Sequence, residues 1–318
     1  MASSKTLNQA NLETLGANRL AQLLLELVAG DAQAKRRLRL ELASASGSGD
    51  VAGEVAKRLA TIAKAEAFVD WNKVKPLARD IEAQRRAIME HIAPTDPATA
   101  FELLWKLIAL ARPVLSWCDD SHGTLGTVFA TALSVLGALA AAARLPTDQL
   151  VDRVFDSVCD NDHGQFHGLV TLMTEPLGEA GLKSLRRKFE AMAREVQQRP
   201  PQGERRVIGF GSGGVFYEDE MEARRHERLV RQALVDIADA LGDVDAFIAQ
   251  CPADQRHNPA IAAAIAERLL AAGRAAEAIA ALDAAEAIRR KGGHWPNWDR
   301  VRIAALDALG HAECAQCG

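Results

Sequence analysis

Apolar residues recur along most of this chain three and four positions apart, the spacing of a helix with one buried face. The opening stretch "LETLGANRLAQLLLELVAG" is periodic in Leu and ends at Gly30, after which Asp31 can cap "AQAKRRLRLELA". A loop "SASGSGD" follows at 44–50, with Asp50 as the next expected cap, then "VAGEVAKRLATIAKA", a bend at "FVDWNKVKP" and a charged helix through "LARDIEAQRRAIMEHI". Asp96 followed by Pro97 marks another helix start, since proline loses nothing at the first helical position. Asn258 before Pro259 repeats that signal near the C-terminus. Runs that alternate with period two are scarce. The expected fold is all-α, with no sheet beyond a two-residue bridge near Val207–Ile208.

A shift of 41 residues lays "RPVLSWCDDSHG" over "RVFDSVCDNDHG" and matches Arg112 with Arg153, Ser116 with Ser157 and Cys118 with Cys159. It also matches Asp119 with Asp160, His122 with His163 and Gly123 with Gly164; Leu136–Gly137 and Leu177–Gly178 follow at the same offset. The polar segments therefore read as inter-helix turns of a repeated hairpin spanning 112–181, with Asp119 and Asp160 as caps and the glycines as left-handed positions. The period is that of HEAT and armadillo helix pairs. Toward the C-terminus "AIAERLLAAGRAAEAIAALDAAEA" resembles a tetratricopeptide hairpin, with Ala266, Leu269, Gly273, Ala278, Leu282 and Ala285 at its packing positions and Arg290 where that family prefers proline. "LDALGHAECA" repeats it 37 residues on, and "IADALGDVDAFIAQC" is a weaker earlier copy.

These patterns imply an α-solenoid of helical hairpins: a HEAT-like block at 1–199, a Gly/Pro-rich connector at 200–216 and a tetratricopeptide-like block at 217–318. Phrases such as "NLETLGANRLAQLLLELV", "KRRLRLELA", "FVDW" and "YEDEMEARRHERLVRQALVDIADALGDVDAFIAQ" resemble an uncharacterised bacterial family, a domain of unknown function built from helical repeats. The resemblance covers most of the chain and implies a fold but no activity. It also implies that members of the family continue past this point, so a shortened form is one expectation for this chain. In the last hairpin, Val301, Ile303, Ala304, Ala305 and Ala308 form the expected packing side, Gly310 the turn, and "HAECAQCG" too short a tail to cover the helix. Self-association through 299–309, or a partner covering it, is the corresponding expectation.

Composition narrows the function classes. A net charge of −4 gives the whole molecule no pull toward nucleic acid or an acidic membrane. The five cysteines in 318 residues are not a secreted disulfide framework, and no signal peptide opens the chain, so a cytoplasmic address is expected. The segment 124–143 carries no charge for twenty residues and meets the length of a membrane span, but its Ala, Gly, Thr and Ser content suits a buried central helix.

Candidate chemistry is thin. Cys118, His122, Cys159 and His163 are acceptable zinc ligands if stacked hairpins bring the two turns together, although adjacent helices sit about 10 Å apart, which is long for one ion. An EF-hand fails, because alignment on Gly164 puts Cys159 at position 1 and Val170 at position 12. Gly209, Gly211 and Gly214 have the G-x-G-x-x-G spacing, but acidic residues follow where a pyrophosphate would lie, so a connector is the better reading. "CAQC" at 314–317 lacks a second pair. The basic runs "KRRLR" and "KSLRRKF" read as solvated helix faces. The expected function is a non-enzymatic scaffold for an unknown protein or peptide, with no cofactor. A metal-binding or enzymatic protein using the Cys–Asp–His turns, and nucleic-acid binding through the basic faces, stand as alternatives.

Overall fold

The computed structural model describes residues 6–195, 200–201, 204–211 and 214–317, with side chains through residue 310. The chain is mostly helical and divides into two compact units: residues 1–145 with 162–165, and residues 146–161 with 166–318. The division falls between Leu145 and Pro146, and the connector expected at 200–216 lies inside the second unit.

The first unit holds α1 (Gln9–Glu13), α2 (Gly16–Leu27), α3 (Ala32–Ser46), α4 (Ser48–Ala63), α5 (Trp71–Ala87), a π-helical turn (Ile88–Ile92), α6 (Pro97–Ala109), α7 (Ala111–Trp117), α8 (Thr124–Ser134) and α9 (Leu136–Ala143). Asp31 caps α3 through the amides of Gln33 and Ala34, and Asp96 caps α6 through Thr99, as the sequence predicts. Asp50 does not cap. α3 runs on through Ser46, and Gly47, at φ 142°, makes the whole break before α4, so Asp50 falls in the first turn of α4. A carboxylate there still complements the helix dipole.

The centre of this unit is α6, where Phe101, Leu104, Leu107 and Ile108 are fully buried and adjoin α4, α8, α9 and the π turn. The uncharged segment Thr124–Ala143 is not the central helix. It has the length and hydropathy of a membrane span, but it breaks at Val135, and one face is buried (Leu125, Phe129, Ala132, Leu133, Leu136, Gly137, Leu139 and Ala140) while the rest is not. Its outer face carries small residues. The hydroxyls of Thr127, Thr131 and Ser134 there donate back to carbonyls three or four positions earlier. Such back-bonding bends helices, which fits a break one residue later.

The second unit holds α10 (Thr147–Cys159), α11 (Leu169–Leu172), α12 (Thr174–Arg194), a hairpin of β1 (Val207–Gly211) and β2 (Gly214–Tyr217), then α13 (Glu218–Leu241), α14 (Val244–Gln250), α15 (Pro259–Ala271), α16 (Ala275–Arg289) and α17 (Pro296–Cys317). The expected two-residue bridge is a full antiparallel hairpin, with Phe210 opposite Val215 and Gly209 opposite Phe216. The acidic start of α13 anchors it: Arg205 pairs with Asp219 and Glu220 and lies 3.8 Å over the Tyr217 ring.

The α15/α16 pair follows the sequence closely. Asn258 caps α15 with Pro259 at the first turn, Gly273 turns the chain at φ 73°, and Ala266, Leu269, Ala278, Leu282 and Ala285 are all buried. Small side chains here let the two axes approach, so the fit depends on volume at each position. α17 packs on both, through Trp298, Val301 and Ala305. Two expectations for α17 fail. Gly310 is not a turn, because the helix continues through it to Cys317. Of the expected packing side only Val301 and Ala305 are buried; Ile303, Ala304 and Ala308 are exposed. The last buried positions sit three and four apart around Trp298, which is what a single face of a straight helix requires.

Candidate functional site

The first Cys–Asp–His turn links α7 to α8. Cys118, in extended backbone, is buried, and Val69 forms a parallel bridge with it: the Val69 amide donates to Trp117 O at 2.9 Å and the Asp119 amide to Val69 O at 3.1 Å. Asp119 accepts from the hydroxyl and amide of Ser121, and these bonds, with a smaller contribution from His122, hold its carboxyl below the usual range. Asp120 is the helix cap, accepting from the amides of Leu125 at 3.0 Å and Gly126 at 2.9 Å. His122 lies against the Trp71 ring, centroids 6.0 Å apart.

The second turn follows α10. Asn161 accepts from the amide of Phe166 at 2.8 Å, and Gln165 accepts from the amide of His163. Gly123 and Gly164 are both left-handed, yet they are not equivalent in position. Gly123 directly precedes α8, whereas α11 starts after a second left-handed glycine, Gly168. The later match also diverges, since Gly137 is buried inside α9 and Gly178 sits at a kink with φ 58°.

Burial pushes the Cys118 thiol up to about 11, with Asp120 adding to the effect. Cys159 is likewise pushed up to about 11 by burial and then Asp156, with Lys188 opposing, and its sulfur lies 3.9 Å from Met192 Sδ. Both thiols are thus protonated near neutral pH, while thiolate is the reactive and metal-binding form. Among the described residues, no three His, Cys, Asp or Glu side chains gather as a ligand set. The cysteines of "CAQC" lie outside the described side chains.

Two other features stand out in the first unit. The first is the tie itself, which holds Val69 between two displayed rings: Phe68 is 70% exposed and Trp71 is 58% exposed. The second is a polar network between α3, α4 and α5. Asp80, 4% exposed, accepts on one oxygen from Arg36 Nη2 at 3.2 Å and from both Nε (2.9 Å) and Nη2 (2.5 Å) of Arg58. Its other oxygen faces Gln84 Nε2 at 3.4 Å. Asp80 is the buried member and depends on this pairing, whereas both arginines keep part of their side chains in solvent.

Residues 2–317 match a family of unknown function, DUF6880. The chain belongs to that family. No curated protein and no solved structure matches it.

In this DUF6880 chain the Asp80 network is what sequence reasoning missed. The spacing of "KRRLR" predicts a solvated face, yet Arg36 from that run reaches Asp80. The available signal was on α5, where Asp80 and Gln84 fall four apart on the same stripe as the buried Ala78, Ile81 and Ala87. Polar residues at helical spacing within an apolar face are buried polar groups that need partners. Within the bend at "FVDWNKVKP" nothing in the sequence distinguishes Phe68 and Trp71 as displayed rings.

Proposed function

We propose that this DUF6880 chain is a non-enzymatic, cytoplasmic scaffold of the α-solenoid type, tetratricopeptide-like around α15 and α16 and HEAT-like before it, that binds a protein or peptide. The observation that carries this reading is the pair Phe68 and Trp71, large rings held outward on either side of the hydrogen-bonded Val69. Exposed aromatic side chains on a rigid backbone are the residues from which binding hot spots are built. The left-handed turn at Gly273 and the buried small residues on α15 and α16 support the tetratricopeptide-like assignment.

The test is a photo-crosslinking amino acid placed at position 71 in the native host, with a second at the exposed polar position 183 as control. A defined protein crosslinked from 71, absent from 183 and lost in Phe68→Ser supports the reading. Equal labelling from both positions, or labelling insensitive to Phe68→Ser, rejects it. Self-association through α17 belongs to the same reading, supported by Ile303 and Leu306 at 63% and 51% exposure. Sedimentation of wild type against Ile303→Asp checks it: a dimer lost in the variant supports it, and a wild-type monomer at all concentrations removes it.

A further inference from the structure

In the first unit, α2 is amphipathic but has no core to serve. Leu20, Leu23, Leu24 and Leu27 recur at the spacing of one helical face. Yet none of the twelve residues of α2 is buried. Leu24 is 45% exposed and Leu27 77%, while Leu20 and Leu23 keep part of their surface in solvent. The short α1 packs along α2, and among the described residues no other helix does. Leu12 and Leu15, also exposed, extend the apolar surface. A helix of this length is marginal alone in water, and helices in proteins owe most of their stability to burial of such a face.

The charges beside the stripe say what covers it. Helices that lie on membranes carry Lys and Arg along the polar face. α2 has one basic residue, Arg19, and α1 and α2 together set Glu13 and Glu26 against it, so a lipid surface gains no electrostatic attraction. Arg19 and Glu26 stand two turns apart on the same flank of the leucine stripe. That spacing, about 10 Å along the axis, keeps them from pairing within one helix. Among the described residues neither makes an ion pair; Arg19 reaches only the Gln22 side chain, at 3.3 Å.

We propose that α2 is a dimerisation helix, its leucine stripe packed antiparallel on that of a second copy, with Arg19 beside the partner's Glu26 at both ends. A two-fold contact places one patch against itself, so the patch must be self-complementary. Centring the pair between Leu23 and Leu24 sets Leu20 against the partner's Leu27 and Leu23 against the partner's Leu24. Arg19 then lies about 3 Å along the axis from the partner's Glu26, on the same side of the seam. A parallel pair would turn that flank toward Ala17 and Ala21 and leave both charges unmatched. This contact is separate from the rings at Phe68 and Trp71 and from the exposed face of α17.

The experiment is sedimentation equilibrium of the full chain, repeated with Ile303→Asp so that no contact through α17 contributes. A dimer should persist in the Ile303→Asp chain and be lost when Leu27→Asp is added, with the thermal midpoint of the monomer in place because Leu27 is exposed. Arg19→Glu and Glu26→Arg should each weaken dimerisation about tenfold, since two exposed ion pairs become two repulsions. An equimolar mixture of those two variants should restore it, because acid then meets base at both ends. A monomer at every concentration in the Ile303→Asp chain overturns the proposal, as does a dimer indifferent to Leu27→Asp. Charge variants that leave the dimer unchanged, or that the mixture fails to rescue, overturn it as well.

Discussion

The side chain of Asn161 accepts the backbone amide of Phe166 at 2.8 Å, and 41 residues earlier the side chain of Asp120 accepts the amide of Leu125 at 3.0 Å. The same bond thus recurs at the repeat spacing, with an amide in one copy and a carboxylate in the other. Asp119, expected to cap, instead accepts from Ser121 within its own turn.

Asp120 ties two amides in the first turn of α8, so Asp120→Ala should cost about 1 kcal/mol, a typical cap loss, and Asp120→Asn less. Asp119→Ala should cost clearly less than Asp120→Ala, because the Asp119 side chain bonds Ser121 within the turn and its amide bond to Val69 O survives the substitution. Urea unfolding of the three variants gives the order.

This outcome shows where sequence was legible. Caps that act within three residues, at Asp31, Asp96 and Asn258, were readable because the whole interaction is local. So was the α15/α16 pair, where Gly273 and five buried positions lie within one short segment. Asp120 was hidden because its bonds reach five and six residues ahead, beyond a simple cap pattern, and identity between copies pointed at its neighbour. Asp80 was hidden for a stronger reason: its partners Arg36 and Arg58 come from other helices, and no periodicity within α5 names them. At 207–217 the sequence points to a connector because acidic residues follow the glycines where a pyrophosphate would lie, and the glycines leave no period-two signal for the paired strands. Gly310 misled in the opposite sense. Nothing intrinsic to glycine forces a turn, and α17 carries it as an ordinary interior residue.

The two glycines give opposite predictions for the same substitution. Gly273 sits at φ 73°, so Gly273→Ala should cost about 1–2 kcal/mol of backbone strain although a Cβ there meets nothing within 4 Å. Gly310 is helical with open space around it, so Gly310→Ala should stabilise by about 0.5–1 kcal/mol. Paired thermal unfolding curves distinguish them, and a loss at Gly310→Ala would restore the turn that the sequence suggested.

Asp236 carries a pH signature. Burial raises its pKa above the ordinary aspartate value; Gln232 and His167 act the other way, and Asp239 adds to the rise. A carboxyl raised on folding favours the folded state fully below the unfolded pKa, and that contribution is lost as pH rises through the folded value. Asp236→Asn, which keeps the oxygen facing Gln232, should therefore raise the melting temperature at pH 7 and lose that advantage by pH 3. Melting curves at the two values check the sign.

The raised thiols predict slow chemistry. At pH 8 a cysteine near 11 has on the order of a hundredfold less thiolate than a free one near 8.5. Iodoacetamide should label Cys118 and Cys159 slowly in the folded chain and at ordinary rates in denaturant, read by peptide mass spectrometry. Rapid labelling of either in the folded state would mark an activated thiol.

The tie between Val69 and Cys118 joins positions far apart in sequence, and everything from α5 to α7 lies between its ends. It acts as a clasp on a long loop: closing it loses chain entropy that only the packed α6 core can offset. The clasp therefore cannot open alone without leaving that loop's ends free, and the amides of Val69 and Asp119 should exchange with solvent at one common rate. Backbone cleavage at Phe68, just outside the clasp, would leave the enclosed helices still fastened at both ends.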